Sequence, residues 1–199
     1  RQMCIRDSLN IVVKSGDLWH VKGSNGAGKT TFLRQLAGLH PVDVGKVLYP
    51  NKAIKVIYIG HKLGLKEQLT ADENLSWLVG LDGSSTQEQR YAALERVGLR
   101  GYEENIVAQL SAGQKRRVAL ARLHLCKVDI WLLDEPFTSL DQQGIVDEQD
   151  WLNQHILAGG AVLMTSHQEI SLPQVKILDL GEYVSPSPKH PHHEARPLT

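Results

Sequence analysis

A glycine-rich loop between a short strand and a helix constrains the fold of this chain more than any other feature. Residues 18–22 predict a strand and residues 29–37 a helix, and the loop between them fits the pattern G-x-x-x-x-G-K-[ST] at Gly23, Gly28, Lys29 and Thr30. Glycines let backbone N–H groups wrap a phosphate, and the helix N-terminus adds positive potential. The pattern therefore predicts a phosphate-binding loop in which Lys29 reaches the β- and γ-phosphates and Thr30 holds Mg²⁺.

The composition fits a single globular domain in a reducing compartment. The 199 residues include 22 basic and 22 acidic side chains, and the hydrophobic fraction of 42% is enough to build a core. A net charge of zero argues against a general nucleic-acid binder. Cys4 and Cys126 cannot make a disulfide framework. No stretch approaches the roughly 20 continuous apolar residues of a membrane-spanning helix.

Strands and helices alternate along the middle of the chain, which predicts an α/β fold with a buried parallel sheet. Capping boxes predict helix starts at Thr70 with Glu73, at Ser85 with Glu88 and at Ser111 with Gln114. The last of these helices should run to about residue 126. The region 61–110 is expected to be helical only, as an insert on one side. Further strands are predicted at 54–59, 130–133, 161–164 and 175–180.

The two ends of the chain are expected to lie outside this core. Residues 1–7 lack apolar periodicity and start with Arg1, so we treat them as a doubtful leader. Residues 185–199 are rich in proline and histidine and predict a disordered tail. Its histidines are interpreted as solvated, because no Cys or carboxylate cluster completes a metal site.

A second candidate site follows the apolar strand at 130–133. Asp134 and Glu135 come directly after it, which places them at the carboxyl edge of the sheet, where open α/β sheets bind ligands. Beside a phosphate loop, Asp134 would orient Mg²⁺ through its water shell, and Glu135 would accept a hydrogen bond from an attacking water.

Residues 110–114 read LSAGQ and resemble the LSGGQ signature of ABC-transporter ATPases, with Ala112 at one glycine. The order of phosphate loop, signature, strand with Asp-Glu and a downstream histidine is similar to that family from about residue 8 to 181. The resemblance implies a P-loop NTPase fold of the RecA-like, ABC ATPase type. It implies an ATPase core at 8–60 and 115–181, with a small helical, signature-bearing subdomain at 61–114.

The resemblance also implies residue roles. His167 matches the switch histidine, and residues 139–141 match the D-loop of the dimer interface. His61 occupies the position of the Q-loop glutamine, unless the count is off by one residue and Lys62 occupies it. Ser111 and Gly113 would contact the γ-phosphate held by the opposite subunit. The expected catalytic residues are Glu135, His167 and His61, and the expected metal-binding residues are Thr30 and Asp134. The expected nucleotide-binding residues are Gly23, Ser24, Asn25, Gly26, Ala27, Gly28, Lys29, Thr30, Thr31, Ser111, Gly113, Gln114 and Asp141.

Longer runs are similar to the ATP-binding subunit of the cytochrome c maturation system, of the haem exporter type. These are SNGAGKTT at 24–31, LSAGQKRRVALARL at 110–123 and DEPFTSLD at 134–141. The similarity implies an ATPase that uses ATP and Mg²⁺, forms a homodimer and binds integral membrane subunits at the cytoplasmic face of the bacterial inner membrane. Haem would be handled only indirectly, and nucleic acid not at all.

Three alternatives differ from this hypothesis in testable ways. The chain could serve a transporter of another substrate, such as a lipid, a lipoprotein or an amino acid. A non-transport ABC protein acting on DNA or ribosomes would need a long coiled coil or two cassettes, and a small P-loop kinase has no use for the signature or His167.

The aromatic residue that stacks on adenine in this family has no counterpart in 1–7, and Trp19 is expected to be a core residue.

Overall fold

Five short parallel strands form one sheet in the computed structural model, which describes residues 9–50, 54–80 and 85–183. The order across the sheet is β2-β3-β4-β1-β5. The predicted leader 1–7 and tail 185–199 lie outside the described residues. The α/β prediction is confirmed, although the strand predicted at 54–59 begins at Val56. The strands are β1 (Leu18–Lys22), β2 (Val56–Ile59), β3 (Ile130–Asp134), β4 (Ala161–Thr165) and β5 (Val175–Asp179).

Five α-helices connect or flank these strands. They are α1 (Lys29–Leu36), α2 (Ala71–Gly80), α3 (Gln87–Arg96), α4 (Ala112–Ala121) and α5 (Gln142–Leu157). Single 3₁₀ turns occur at Val107–Gln109, Arg122–His124 and Leu180–Tyr183. The helix predicted from Ser111 to about residue 126 is α-helical only to Ala121 and then tightens into a 3₁₀ turn. Among the described residues, no helix has both the length and the apolar character needed to cross a membrane.

Helices cover both faces of the sheet, and its central strands are therefore buried on both sides. On one face, Val162 and Met164 of β4 pack with Leu152 of α5. On the other, Leu163 packs with Leu33 of α1. All five residues of β4 are buried, as expected for a parallel strand between two layers of helices.

The strand register brings the predicted site residues to one edge. Asp134, the last residue of β3, is the register partner of Thr165 in β4. Thr165 is also the partner of Val21 in β1, just before the glycine loop. Since parallel strands all end at the same edge, the loop, Asp134 and the residues after β4 converge there.

The helices α2, α3 and α4 bury a cluster of their own. Leu75, Leu94 and Val118 are completely buried within it. Asp72 of α2 binds Arg90 of α3 with two hydrogen bonds of 2.6 and 2.9 Å. The predicted boundary between residues 114 and 115 falls inside α4, so the division of the chain into an ATPase core and a helical subdomain stays a prediction.

Two details of the helical region differ from the sequence predictions. The capping box predicted at Ser85 and Glu88 is wrong by one residue: Thr86 caps α3, and its hydroxyl accepts a hydrogen bond from the backbone N–H of Gln89. The region 61–110 is not helical only, because Thr70 and Ile106 form an isolated antiparallel bridge. The boxes at Thr70 with Glu73 and at Ser111 with Gln114 are confirmed.

Candidate nucleotide-binding site

The loop after β1 is shaped to hold an anion. Gly23, Gly26 and Gly28 all have positive φ angles, of 143, 84 and 91°. A Cβ at Gly23 would lie 3.0 Å from the Cβ of Ala27, a tight contact, and a side chain there would also be strained by the φ of 143°. α1 starts at Lys29 with no acidic residue in its first turn and no side chain capping it. Its first N–H groups therefore point at the loop without an intrahelical partner.

The side chain of Lys29 folds back over the loop that precedes it. Its ammonium group donates to the carbonyl oxygens of Gly23 at 2.7 Å and Ser24 at 3.3 Å. The positive charge thus lies beside the N–H groups of the loop, where phosphate oxygens would gather. Ser24, Asn25 and Thr31 are exposed around it.

Asp134 is the centre of a hydroxyl cluster at the sheet edge. The carboxylate is only 2% exposed. Its Oδ2 accepts a hydrogen bond from the Thr30 hydroxyl at 2.7 Å, and its Oδ1 accepts one from the Thr165 hydroxyl at 2.8 Å. The pair of Thr30 and Asp134 supplies two hard oxygen atoms next to the phosphate loop. Oxygens of this kind, completed by phosphate and water, are what Mg²⁺ prefers, so the donor set fits that ion.

Tyr58 of β2 contacts the same carboxylate from the neighbouring strand. Its hydroxyl lies 3.5 Å from Asp134 Oδ2. Burial, and after it the negative charge of Asp134, raises the pKa of Tyr58 to about 12. The hydroxyl therefore keeps its proton near neutral pH and points a donor at Asp134.

Glu135 and His167 meet just outside this cluster. The backbone N–H of His167 donates to Glu135 Oε2 at 3.2 Å, and His167 Nε2 lies 3.5 Å from Glu135 Oε1. Glu135 has a φ of 53°, a strained conformation for a residue with a side chain. The backbone N–H of Glu135 donates to the Thr165 hydroxyl at 2.9 Å, which helps to fix that conformation.

A buried histidine supports the backbone that leads to His167. Nε2 of His20, on β1, lies 2.9 Å from the carbonyl oxygen of Ser166. Burial is the main factor that lowers the pKa of His20. A neutral ring with its proton on Nε2 donates to this carbonyl, and so β1 helps to place the residue after Ser166.

The signature forms a second group with the D-loop. Ser111 caps α4, and Gln114 completes its capping box. A Cβ at Gly113 would lie 2.5 Å from the carbonyl oxygen of Ser139, so glycine lets the two segments touch. Arg117 donates to Asp141 Oδ1 at 2.6 Å. Asp141 in turn caps α5 by accepting from the N–H of Gly144.

The structure therefore sorts the predicted residues into two groups. Thr30, Asp134, Glu135 and His167 are linked by hydrogen bonds and close contacts at the sheet edge beside the phosphate loop. Ser111, Gly113, Gln114 and Asp141 form the second group at the ends of α4 and α5. His61 and Lys62 are both exposed just beyond β2, and the assignment of the Q-loop position to His61 stays a prediction.

Comparison with known proteins agrees with a nucleotide-binding site of this geometry. The ABC transporter family matches residues 7–138. The cytochrome c biogenesis ATP-binding export protein CcmA of Saccharophagus degradans is 46% identical over 191 residues, covering 88% of this chain and 86% of that protein. The protein of the same name from Pseudomonas putida is 42% identical over 190 residues and covers 90% of each.

A solved structure gives the same fold. An ATP-binding cassette in a dimeric, post-hydrolysis state bound to ADP and phosphate has a TM-score of 0.77 at 23% identity, covering 89% of this chain and 87% of the other. The fold and the family match together define an ATPase of the ABC type. The chain belongs to the ABC transporter family and, within it, to the family of the cytochrome c biogenesis ATP-binding export protein CcmA. The resemblance read from the sequence is confirmed.

Proposed function

We propose that this ABC-type ATPase drives a membrane complex of cytochrome c biogenesis. Its hydrolytic site would be the group of Thr30, Asp134, Glu135 and His167 at the sheet edge. One observation carries the assignment of the site: the Thr30 hydroxyl, at the start of the phosphate-loop helix, is hydrogen bonded to the buried Asp134. This contact joins the candidate phosphate and metal positions at one point. Glu135 and His167 lie directly beside it.

The phosphates of ATP would lie in the loop formed by residues 23–31. Backbone N–H groups and the Lys29 ammonium would bind the phosphate oxygens, and removal of water around them would strengthen each contact. Thr30 and Asp134 would hold Mg²⁺, which neutralises charge on the phosphates when it is bound. The Thr165 and Tyr58 hydroxyls orient Asp134 through hydrogen bonds to its oxygens.

Glu135 would orient the attacking water. Its Oε1 is buried and accepts no hydrogen bond from the described residues, although the His167 ring is nearby. An unfilled acceptor at the mouth of the site suits a water molecule aimed at the γ-phosphate. His167 would contact the γ-phosphate itself, and His61 or its neighbour Lys62 would do so from the end of β2.

A homodimer would complete the site. Ser111, Gly113 and Gln114 of one copy would cover the ATP held by the other, because hydrogen-bond donors at a helix N-terminus suit a phosphate oxygen. Closure on ATP and reopening after hydrolysis would be passed to integral membrane subunits through the helical region 61–110. In that arrangement the chain would lie at the cytoplasmic face of the bacterial inner membrane, and its partners would move haem or a haem-loaded chaperone.

ATP hydrolysis by site variants tests the catalytic part. Lys29→Ala should abolish detectable hydrolysis and weaken ATP binding. Glu135→Gln should keep ATP binding but lower kcat on the order of 10²–10³-fold, as expected when a single transition-state group is removed. It should also elute as a dimer in ATP and as a monomer in ADP during size-exclusion chromatography. Wild-type turnover in either variant would refute the assignment of the site.

Complementation tests the biological part. In bacteria lacking their own cytochrome c biogenesis ATP-binding protein, this chain should restore covalently haem-loaded cytochrome c, and its Lys29→Ala variant should not. An active ATPase that fails to restore it, expressed with its own neighbouring membrane subunits, would favour a transporter of another substrate.

A further inference from the structure

A buried arginine links the signature helix to the segment that ends β2. Arg116 lies on α4, which Ser111 caps, and is only 4% exposed. Its Nη1 donates to the carbonyl oxygen of Gly60 at 3.3 Å. Gly60 immediately precedes His61 and Lys62, the two candidates for the Q-loop position. One side chain thus joins the two segments expected to contact ATP in the two sites of a dimer.

Gly60 is also confined from its other side. A Cβ at this position would lie 2.6 Å from the hydroxyl and 2.8 Å from the ring carbons of Tyr58. Tyr58 therefore folds back against the bare backbone of Gly60 while its hydroxyl faces Asp134. Gly60 is fixed by a hydrogen bond on its carbonyl and by an aromatic ring against its Cα.

Three carboxyl groups on other elements act on the buried charge of Arg116. Burial lowers the pKa of Arg116, and the carboxyl groups of Glu148 on α5, Asp134 and Glu135 oppose that shift when they are ionised. Glu148 is completely buried, and neither of its oxygens has a hydrogen-bond partner among the described residues. A buried cation is costly without nearby negative charge, and the site carboxyl groups offset part of that cost where the guanidinium reaches Gly60.

We propose that Arg116 is a positioning residue for ATP hydrolysis: it fixes Gly60, and through it residues 61–62, relative to the signature helix. This inference rests on the proposed function, because it gives residues 61–62 a place at the γ-phosphate. Arg116 does not touch the nucleotide. Its removal should leave the phosphate loop, and so ATP binding, intact while the reacting geometry is lost.

Steady-state hydrolysis by the full chain, with kcat and KM measured separately, tests the proposal. Arg116→Met should lower kcat on the order of 10²-fold, the effect of misplacing a reacting group by about 1 Å. KM should stay within about 3-fold, because the binding contacts in the loop are kept. Arg116→Lys, which keeps a charge and a donor, should recover most of kcat. The matched control Arg100→Met removes an exposed arginine paired with Glu95 and should change neither constant.

Thermal unfolding of each variant separates positioning from folding. If Arg116→Met does not fold, Gly60→Ala disturbs the same backbone from the Tyr58 side and should give the same fall in kcat at unchanged KM. Wild-type kcat in Arg116→Met, or in Gly60→Ala as its substitute, would overturn the inference. So would equal losses in kcat and affinity that Arg116→Lys does not restore. Lys29→Ala, assayed in parallel, reports separately on the proposed function: activity there would overturn the site itself.

Discussion

At the scale of single residues, Thr165 is the most connected residue of the candidate site that no sequence motif predicts. Its hydroxyl donates to Asp134 Oδ1 and accepts from the backbone N–H of Glu135, and it is completely buried. One hydroxyl therefore orients the candidate metal carboxylate and the strained residue that would activate water. The register of β4 against β3 puts it opposite Asp134.

Thr165→Val should damage catalysis more than the fold. The variant keeps the side-chain volume but leaves Asp134 Oδ1 and the Glu135 N–H without their buried partner, which costs about 1–3 kcal/mol of unfolding free energy. We expect kcat to fall at least 10-fold, since two reacting groups lose their orientation. Urea denaturation and steady-state ATPase assays measure the two effects. Thr165→Ser keeps the hydroxyl and should retain most activity. If the serine and valine variants are equally active, the hydroxyl that links Asp134 to Glu135 does not contribute to catalysis.

The residues found from sequence and those missed differ in how far their partners lie along the chain. Gly23, Lys29 and Thr30 were predicted because their roles follow from fixed local spacing. Thr165 lies 31 positions from Asp134 and Tyr58 lies 76 positions from it, so only strand pairing brings them together. The only local signal for Tyr58 is a polar group inside a β-branched strand.

At the scale of elements, the turn before α2 is organised by one buried amide. Asn74 is completely buried, and its Oδ1 accepts from the N–H of Lys66 at 2.7 Å. Its Nδ2 donates to the carbonyl oxygens of Lys66, Leu69 and Thr70. The segment between β2 and α2 is therefore tied to the first turns of the helix rather than left as a free loop.

Asn74→Ala should loosen this segment. Several partly buried backbone groups would lose their partner, at about 1–3 kcal/mol for the least accessible and less for those that water can reach. Amide hydrogen exchange should rise at residues 66–70 beyond the global change in stability. Ser76→Ala, on the exposed face of the same helix, is the matched control and should alter neither quantity. Unchanged exchange in the Asn74 variant would mean that packing, not the amide, holds the turn.

Helix starts were predictable only where one reading of the capping pattern was available. Thr70 with Glu73 and Ser111 with Gln114 each offer a single hydroxyl and acceptor at the right spacing, and both form. Before α3, the run Ser85-Thr86-Gln87-Glu88-Gln89 offers two overlapping boxes. The structure uses Thr86 with Gln89, and sequence spacing alone does not separate the two.

At the scale of the whole molecule, alternation along the chain predicted parallel strands but did not determine their order. β1 pairs with β4 and β5, which are contributed by the last third of the described chain. Such pairing depends on which faces of distant strands complement each other, and no local pattern carries that information. It is also what brings Ser166 to His20 across 146 positions.

The buried Glu148 of α5 should make the stability of the whole fold depend on pH. Burial raises its pKa to about 8, even though the charge of Arg116 opposes the shift. The folded chain then holds this proton more tightly than the unfolded chain, whose carboxyl has an ordinary value. The contribution of Glu148 to stability is therefore greatest below about pH 4.3 and is lost progressively as pH rises to about 8.

Glu148→Gln should remove that dependence, because an amide of the same shape carries no charge at any pH. The unfolding free energy of the variant minus that of the wild type should grow from pH 5 to 8, by up to about 1.4 kcal/mol per pH unit, and then level off. His124, whose pKa burial lowers to about 4, destabilises the fold as pH falls, but equally in both proteins. Glu95→Gln, which removes an exposed carboxyl group instead of a buried one, is the matched control. Denaturant titrations at four pH values measure the difference, and a difference that stays constant would mean that Glu148 is ionised in the folded chain throughout.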